Sequence, residues 1–211
     1  MKYVYALKTV QSDLTSYNGF KWKRRGIVTA PDWNPDQVCG GGLHAFLRGE
    51  GNGSLADWST DALWLVLKIP EGTYVDLDGK IKFPRCTVVF CGDRKSATDK
   101  LQALGCNGPI IGAYKVGGDG STVSGGDGST VSGGDESTVS GGYGSRVSGG
   151  NWSRVSGGDG STVSGGYGSV LTLSYYDGTR HRLVTRYVGE AGIKANTMYR
   201  LNDRHKFEVA R

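Results

Sequence analysis

Residues 117–164 read GGDGSTVS, GGDGSTVS, GGDESTVS, GGYGSRVS, GGNWSRVS and GGDGSTVS, six consecutive octads; a seventh begins at Gly165 as GGYGS before the pattern breaks at Val170. A flexible Gly/Ser linker has no reason to keep one apolar residue in register, yet Val123, Val131, Val139, Val147, Val155 and Val163 all fall at the seventh position. A strict period with a fixed apolar position means that successive units stack. Within Ser-Thr-Val-Ser, strand alternation sends the first Ser and the Val one way, and the Thr and the last Ser the other. The Gly-Gly-Asp-Gly half supplies the turn, because Gly accepts positive φ and Asp bonds its own backbone. Two octads per turn then predict a flat coil with a strand on each side, and six octads predict about three coils stacked about 4.8 Å apart. Ser and Val ladders fill the inside. Thr122, Thr138 and Arg154 face outward on one side, and Thr130, Arg146 and Thr162 on the other.

The flanks read differently. Tyr3 to Val10 and Leu63 to Ile69 are strands, Thr73 to Phe83 is a hairpin around Asp78-Gly79, and Cys86 to Cys91 is a further strand. Arg94 to Leu104 has helical spacing, with Ala97, Leu101 and Leu104 on one face, Asp93 as N-cap and Gly105 as C-cap. Pro109 to Val116 returns as a strand. Beyond the octads, Val170 to Tyr176 pairs with Thr179 to Val188 across Asp177-Gly178, and Thr197 to Leu201 with His205 to Val209 across Asn202-Asp203. A solenoid ends in an open strand edge, so these hairpins are expected to cover it or use it. The expected fold is mainly β: a mixed α+β domain over residues 1–116, an octapeptide-repeat β-solenoid over 117–169, and a β-hairpin cap or assembly tail over 170–211.

With 211 residues, 36 of them Gly, the chain has room for one medium domain or two small ones, and not for a large multidomain enzyme. Its apolar runs stop well short of the roughly 20 residues of a spanning helix, so no membrane contact is expected. No signal peptide is read at the start. Cys39, Cys86, Cys91 and Cys106 lack the density of a disulfide framework, so reduced thiols and a cytoplasmic location inside a bacterial host cell are expected. Net charge is +4 over residues 1–116, −3 over 117–164 and +4 over 165–211. Lys and Arg are interleaved with acids throughout, which argues against nucleic acid as a partner.

Few residue sets carry chemistry. Cys39 and His44 stand five residues apart across three glycines, a spacing that suits a thiolate nucleophile beside its base and equally suits a tight loop against the core. Glu50 and Glu71 are the glutamates available before the repeat to an ADP-ribosyltransferase-like site. Cys39, His44 and Glu50 are the candidate catalytic residues, and no catalytic constellation surrounds them. Cys86 and Cys91, five apart along a strand, are expected on opposite faces, which argues against a zinc site shared with Cys106 and His44. Asp119, Asp127, Asp135 and Asp159 are read as turn formers rather than calcium ligands. The chain lacks the G-x-x-x-x-G-K-S/T phosphate loop, and no cofactor or metal is expected. Tyr143, Arg146, Trp152, Arg154 and Tyr167 replace consensus Asp, Thr and Gly in the fourth to seventh octads. Because Tyr, Trp and Arg are enriched among interface anchors, these five are the candidate interaction residues.

The frame S-T-x-S-x-G-x-G and the run Gly-Tyr-Gly-Ser resemble the octads of bacterial ice-nucleation proteins, which implies a β-solenoid over about 50 residues. The whole order, with Gly-Phe-Lys-Trp at 19–22, Cys-Gly-Gly-Gly-Leu-His at 39–44, the octads, and a Tyr-Tyr-Asp-Gly tail at 175–178, resembles uncharacterised proteins of bacteriophages and prophages. That resemblance implies a phage-linked accessory protein acting inside bacteria. The expectation is a protein that binds a bacterial host protein, such as a defence component, without catalysis, and that forms a homo-oligomer through the solenoid edge or the tyrosine-bearing side. Two alternatives stand beside it: a nucleotide- or NAD-using enzyme of ADP-ribosyltransferase type in the first domain, and an ice-binding or structural repeat protein. Ice binding needs a long flat array of outward Thr, and three rungs spanning about 10 Å, broken by Arg146 and Arg154, are short for that.

Overall fold

Alternating burial organises the first part of the chain. In β1 (Tyr3–Val10), Val4, Ala6 and Val10 point into one core while Leu7 is buried on the other face. β2 (Gly26–Thr29), β3 (Leu43–Leu47), β4 (Leu63–Pro70), β5 (Val75–Asp76), β6 (Ile81–Phe83) and β7 (Arg85–Gly92) join it in a seven-stranded sheet of order β2-β7-β4-β1-β3-β6-β5. Every pairing in it is antiparallel among the described residues. Central β4 is buried on both faces, Leu65, Leu67 and Ile69 on one and Trp64 and Val66 on the other. α1 (Arg94–Ala103) lies against β4, β1 and β7 and buries Ala97 and Leu101. It starts where the Asp93 carboxylate accepts the Ser96 N–H at 2.9 Å, and it ends before Gly105, whose φ of 88° no helix continues.

The computed structural model describes residues 2–210 and forms two compact units, one ending at Ile110 and one beginning at Ile111. Among the described residues, no helix is long and apolar enough to cross a membrane. β2 and β3 were not expected. β3 follows three glycines and is only five residues long, so its strand character comes from its partners β1 and β6. The strand expected over Pro109 to Val116 shortens to β8 (Tyr114–Val116), because the chain turns at Gly112, with φ of 69°. A bulge in β7 opposes Val66 to Phe90 but Leu67 to Val88, leaving Val89 over. That extra residue inverts the alternation, so Cys86 and Cys91 pack against the same core and not on opposite faces.

The second unit is the solenoid. β8, β10 (Thr130–Ser132), β12 (Arg146–Ser148) and β14 (Thr162–Ser164) pair in parallel on one side. β9 (Thr122–Ser124), β11 (Thr138–Gly141), β13 (Arg154–Gly157) and β15 (Val170–Tyr176) do so on the other. Each residue pairs with the one sixteen positions on, as two octads per coil require. There are four strands a side among the described residues rather than three, because Tyr114 pairs with Thr130 and Val170 with Arg154 although neither belongs to an STVS run. β16 (His181–Tyr187) pairs antiparallel with β15, and β17 (Tyr199–Leu201) with β14, followed by β18 (Phe207–Val209). Both sheets thus end in an antiparallel strand, and Leu171, Leu173, Val188, Ile193 and Tyr199 join the valines in one core.

Inside the coils, Val131, Val139, Val147 and Val163 are fully buried and so, within a few per cent, are Ser129, Ser137, Ser145, Ser153, Ser161 and Ser169. Each later hydroxyl is used twice. Ser161 Oγ accepts the Ser145 N–H at 2.9 Å and donates to the Gly142 carbonyl at 2.9 Å; Ser169 Oγ accepts from Ser153 and donates to Gly150. A Cβ added to Gly141 would stand 2.6 Å from Ser145 Cβ and 2.7 Å from Val147 Cγ2. Gly141→Ala is therefore expected to destabilise the solenoid by about 1–3 kcal/mol in a urea titration. Gly118→Ala, where an added Cβ meets nothing within 4 Å, is expected to leave the midpoint unchanged.

Candidate functional site

The turns of the solenoid fall on two edges. Turns 117–121, 133–137, 149–153 and 165–169 lead from the β8 side to the β9 side, and turns 125–129, 141–145 and 157–161 lead back. On the first edge the Oδ1 atoms of Asp119, Asp135 and Asn151 accept the backbone N–H of Asp135, Asn151 and Tyr167 at 2.9, 2.7 and 2.9 Å. On the second, Asp127 accepts the Tyr143 N–H at 2.8 Å. The turn Asp and Asn side chains therefore fasten one coil to the next. An Asp at this corner has its acceptor aimed at a backbone donor about 4.8 Å along the stack, which a turn considered alone does not reveal.

The candidate interaction residues occupy four different places. Trp152 and Tyr167 meet on the first edge, ring centroids 5.2 Å apart and planes at 88°, each about 60% exposed (61% and 63%). Tyr143 stands exposed on the opposite edge, beside Gly160. Arg146 is exposed in the outward row Tyr114, Thr130, Arg146, Thr162, and Arg154 in the row Thr122, Thr138, Arg154, Val170 on the other side. Of the five, the structure brings Trp152 and Tyr167 together. Trp152 has φ of 57°, in the left-handed region its octad neighbours fill with Gly, and its ring covers Gly168, where a Cβ would come within 2.4 Å of Trp152 Cε3. Glu136 holds the same corner position with φ of 56°.

In the first unit Cys39 and His44 line one cleft, together with Lys8, Trp22 and Lys80. Lys80 Nζ donates to Cys39 Sγ at 3.0 Å. Burial holds the His44 imidazole down to about 4, helped by the positive charges of Lys80, Lys8 and Lys82, so the ring is neutral at pH 7. Glu50 does not line this cleft; its carboxylate packs over Gly108. The three candidate catalytic residues thus do not converge. Among the described residues no group of three or more His, Cys, Asp or Glu is placed to hold a metal ion. Sequence reasoning missed Lys8 and Lys80. The signal for Lys8 was there, a charge at a period-two apolar position between Ala6 and Val10.

The chain is 34% identical over 112 residues to the ice nucleation protein of Xanthomonas campestris pv. translucens, which is 52% of this chain and 7% of that protein. It is 32% identical over 96 residues to that of Pseudomonas fluorescens, and 32% identical over 99 residues to that of Pseudomonas syringae, 44% and 46% of this chain and 8% and 9% of those proteins. The chain thus spans less than a tenth of the length of these relatives. No family model matches it, and no solved structure matches it. The similarity and the coils support an ice-nucleation-like repeat. The cytoplasmic location is corrected by the same finding: ice nucleation proteins are surface proteins anchored in the bacterial outer membrane. The free cysteines Cys39, Cys86, Cys91 and Cys106 are an indirect sign of compartment, and they do not outweigh that similarity.

Glu136→Gly restores the octad consensus and removes a left-handed side-chain residue, so it is expected to raise solenoid stability by about 1 kcal/mol. Chemical denaturation of the two proteins side by side reads the difference; a loss of stability would show that Glu136 makes a contact worth more than its backbone strain.

Proposed function

We propose that the chain is a structural repeat protein whose octads build a short, rigid, end-capped β-solenoid of the ice-nucleation type. One observation carries this reading: the interior of the coils is filled by Ser, Val and Gly at contact distance, so the solenoid offers its length and its outer surface and no internal binding site. The relatives are named for ice nucleation. Here the outward Thr rows are interrupted by Arg146 and Arg154, and four strands a side extend only about 15 Å, a small template for ordered water. The structural part of that likeness is therefore the part assigned to this chain. Favouring it over capture of a bacterial host protein is the division of the aromatic and arginine residues between two edges and two faces.

Two measurements test the reading. Droplets containing the protein are expected to freeze at the temperature of protein-free buffer; freezing at a higher temperature would make ice nucleation the function. Deleting residues 133–148, two octads, is expected to leave a folded, shorter solenoid, because each pairing recurs after sixteen residues. Deleting 133–140, one octad, delivers β14 and β15 to the wrong sides and is expected to unfold the cap. Equal tolerance of both deletions, read by circular dichroism and melting, would contradict the two-octad coil as the structural unit.

A further inference from the structure

The sheet of the first unit opens between β1 and β3. The two strands pair at Ala6 with Leu47 and at Leu7 with Phe46. Past those residues β1 continues against β4, and β3 continues against β6. A cleft of about 690 Å³ occupies the splay, with the exposed Tyr17 ring at its rim, Trp22 and Phe46 buried behind its wall, Lys8, His44 and Lys80 among its polar groups, and the Gly40–Gly42 loop beside them. That size suits a small molecule of many atoms and is generous for a simple inorganic ion.

Its polar groups are incompletely matched. Lys8 falls in the row of Val4, Ala6 and Val10, which face the core. Its Nζ stands 5.9 Å from the centre of the Trp22 ring and makes no ion pair among the described residues. Burial, with help from Lys80, lowers its pKa to about 8, against a smaller opposing pull from Asp57, so at pH 7 most of the charge remains. His44 Nε2 is buried without a hydrogen-bond partner, a state that costs about 1–3 kcal/mol for a polar atom. Lys82 is different: fully buried, it is held by the Asp36 carboxylate at 2.5 Å and the Val38 carbonyl at 2.7 Å, and so fixes the loop beside the cleft. Asp32 also lines the cleft, and at the imidazole it is outweighed by Lys80, Lys8 and Lys82. A lysine without an ion pair, an unpartnered nitrogen and the exposed Tyr17 ring line one opening, and together they ask for an anion attached to a ring.

We propose that this cleft binds a nucleoside monophosphate, with its phosphate between Lys8 and Lys80, its base against the exposed Tyr17 ring, and a base or ribose polar group on His44 Nε2. The site is independent of the solenoid and of the structural role proposed for it. An aromatic face accepts any base, so stacking alone does not choose among the four nucleotides.

Calorimetric titration of the full chain with AMP, GMP, CMP and UMP tests the assignment, with adenosine and inorganic phosphate as the two halves of the ligand. At least one nucleotide is expected to bind with Kd below about 1 mM, and about tenfold or more tighter than either half. Lys8→Met removes a charge from an apolar row, so the variant should fold at least as stably and lose the bound nucleotide about tenfold. In the unaltered protein, histidine-labelled nitrogen NMR should show the His44 Nε2 signal moving with nucleotide while those of His181 and His205 stay in place. Absence of binding by all four nucleotides at about 5 mM, phosphate binding as tightly as a nucleotide, or binding that neither Lys8→Met nor the His44 signal registers, would each overturn the proposal.

Discussion

The second unit depends on how little space separates its two sheets. At the first position of each octad only a hydrogen atom fits, since any Cβ there would collide with the Ser and Val of the same repeat. That closeness puts the buried Ser hydroxyl within reach of the preceding coil's Ser N–H and of a carbonyl in that coil's turn. A buried hydroxyl without partners would destabilise the stack by about 1–3 kcal/mol; here each coil supplies the partners of the next. Gly, Ser and Val are consequently one requirement, and changing any of them alters the conditions of the other two. The Asp and Asn residues at the corners extend the same logic outside the core, where a side chain of one coil satisfies a backbone donor of its neighbour.

Much of this was legible because the period is short and the chemistry repeats. Strand alternation within Ser-Thr-Val-Ser decided which side chains turn inward, and the two hairpins were marked by Asp177-Gly178 and Asn202-Asp203. The extent of the solenoid was less legible. Tyr114–Val116 and Val170–Tyr176 pair with octad strands through backbone bonds, which impose no Gly or Asp signature, so the stack is longer than its repeat. In the first unit the bulge at Val89 is a single unpaired residue that no composition cue marks, and it alone moves Cys91 to the side of Cys86. The cleft was hidden for a related reason. It arises where β1 and β3 stop pairing, a property of two strands far apart in sequence.

Sequence neighbours on a solenoid are not spatial neighbours, and this governs the surface residues. Consecutive octads alternate between the two sides, so Tyr143 and Trp152, nine residues apart, lie on opposite edges, while Trp152 and Tyr167, fifteen apart, touch. An aromatic group at a corner gains its contact from the coil above, as Trp152 does on Gly168. The same corner demands a left-handed backbone, which explains why Gly is the usual occupant and why Trp152 and Glu136 are exceptions with a local energetic penalty. The five replaced positions read as one interface in the sequence are, in space, a stacked pair, a lone tyrosine and two separate arginines.

The central claim, that residues 117–169 form a packed stack and not a flexible Gly/Ser tether, is tested most directly by native-state hydrogen exchange resolved at single amides. The amides of Val131, Val139, Val147, Val155 and Val163 should exchange together, protected to the same free energy as the core amides of β15. Exchange of the octad valines at the rate of an unstructured chain, with β15 and β16 still protected, would contradict it.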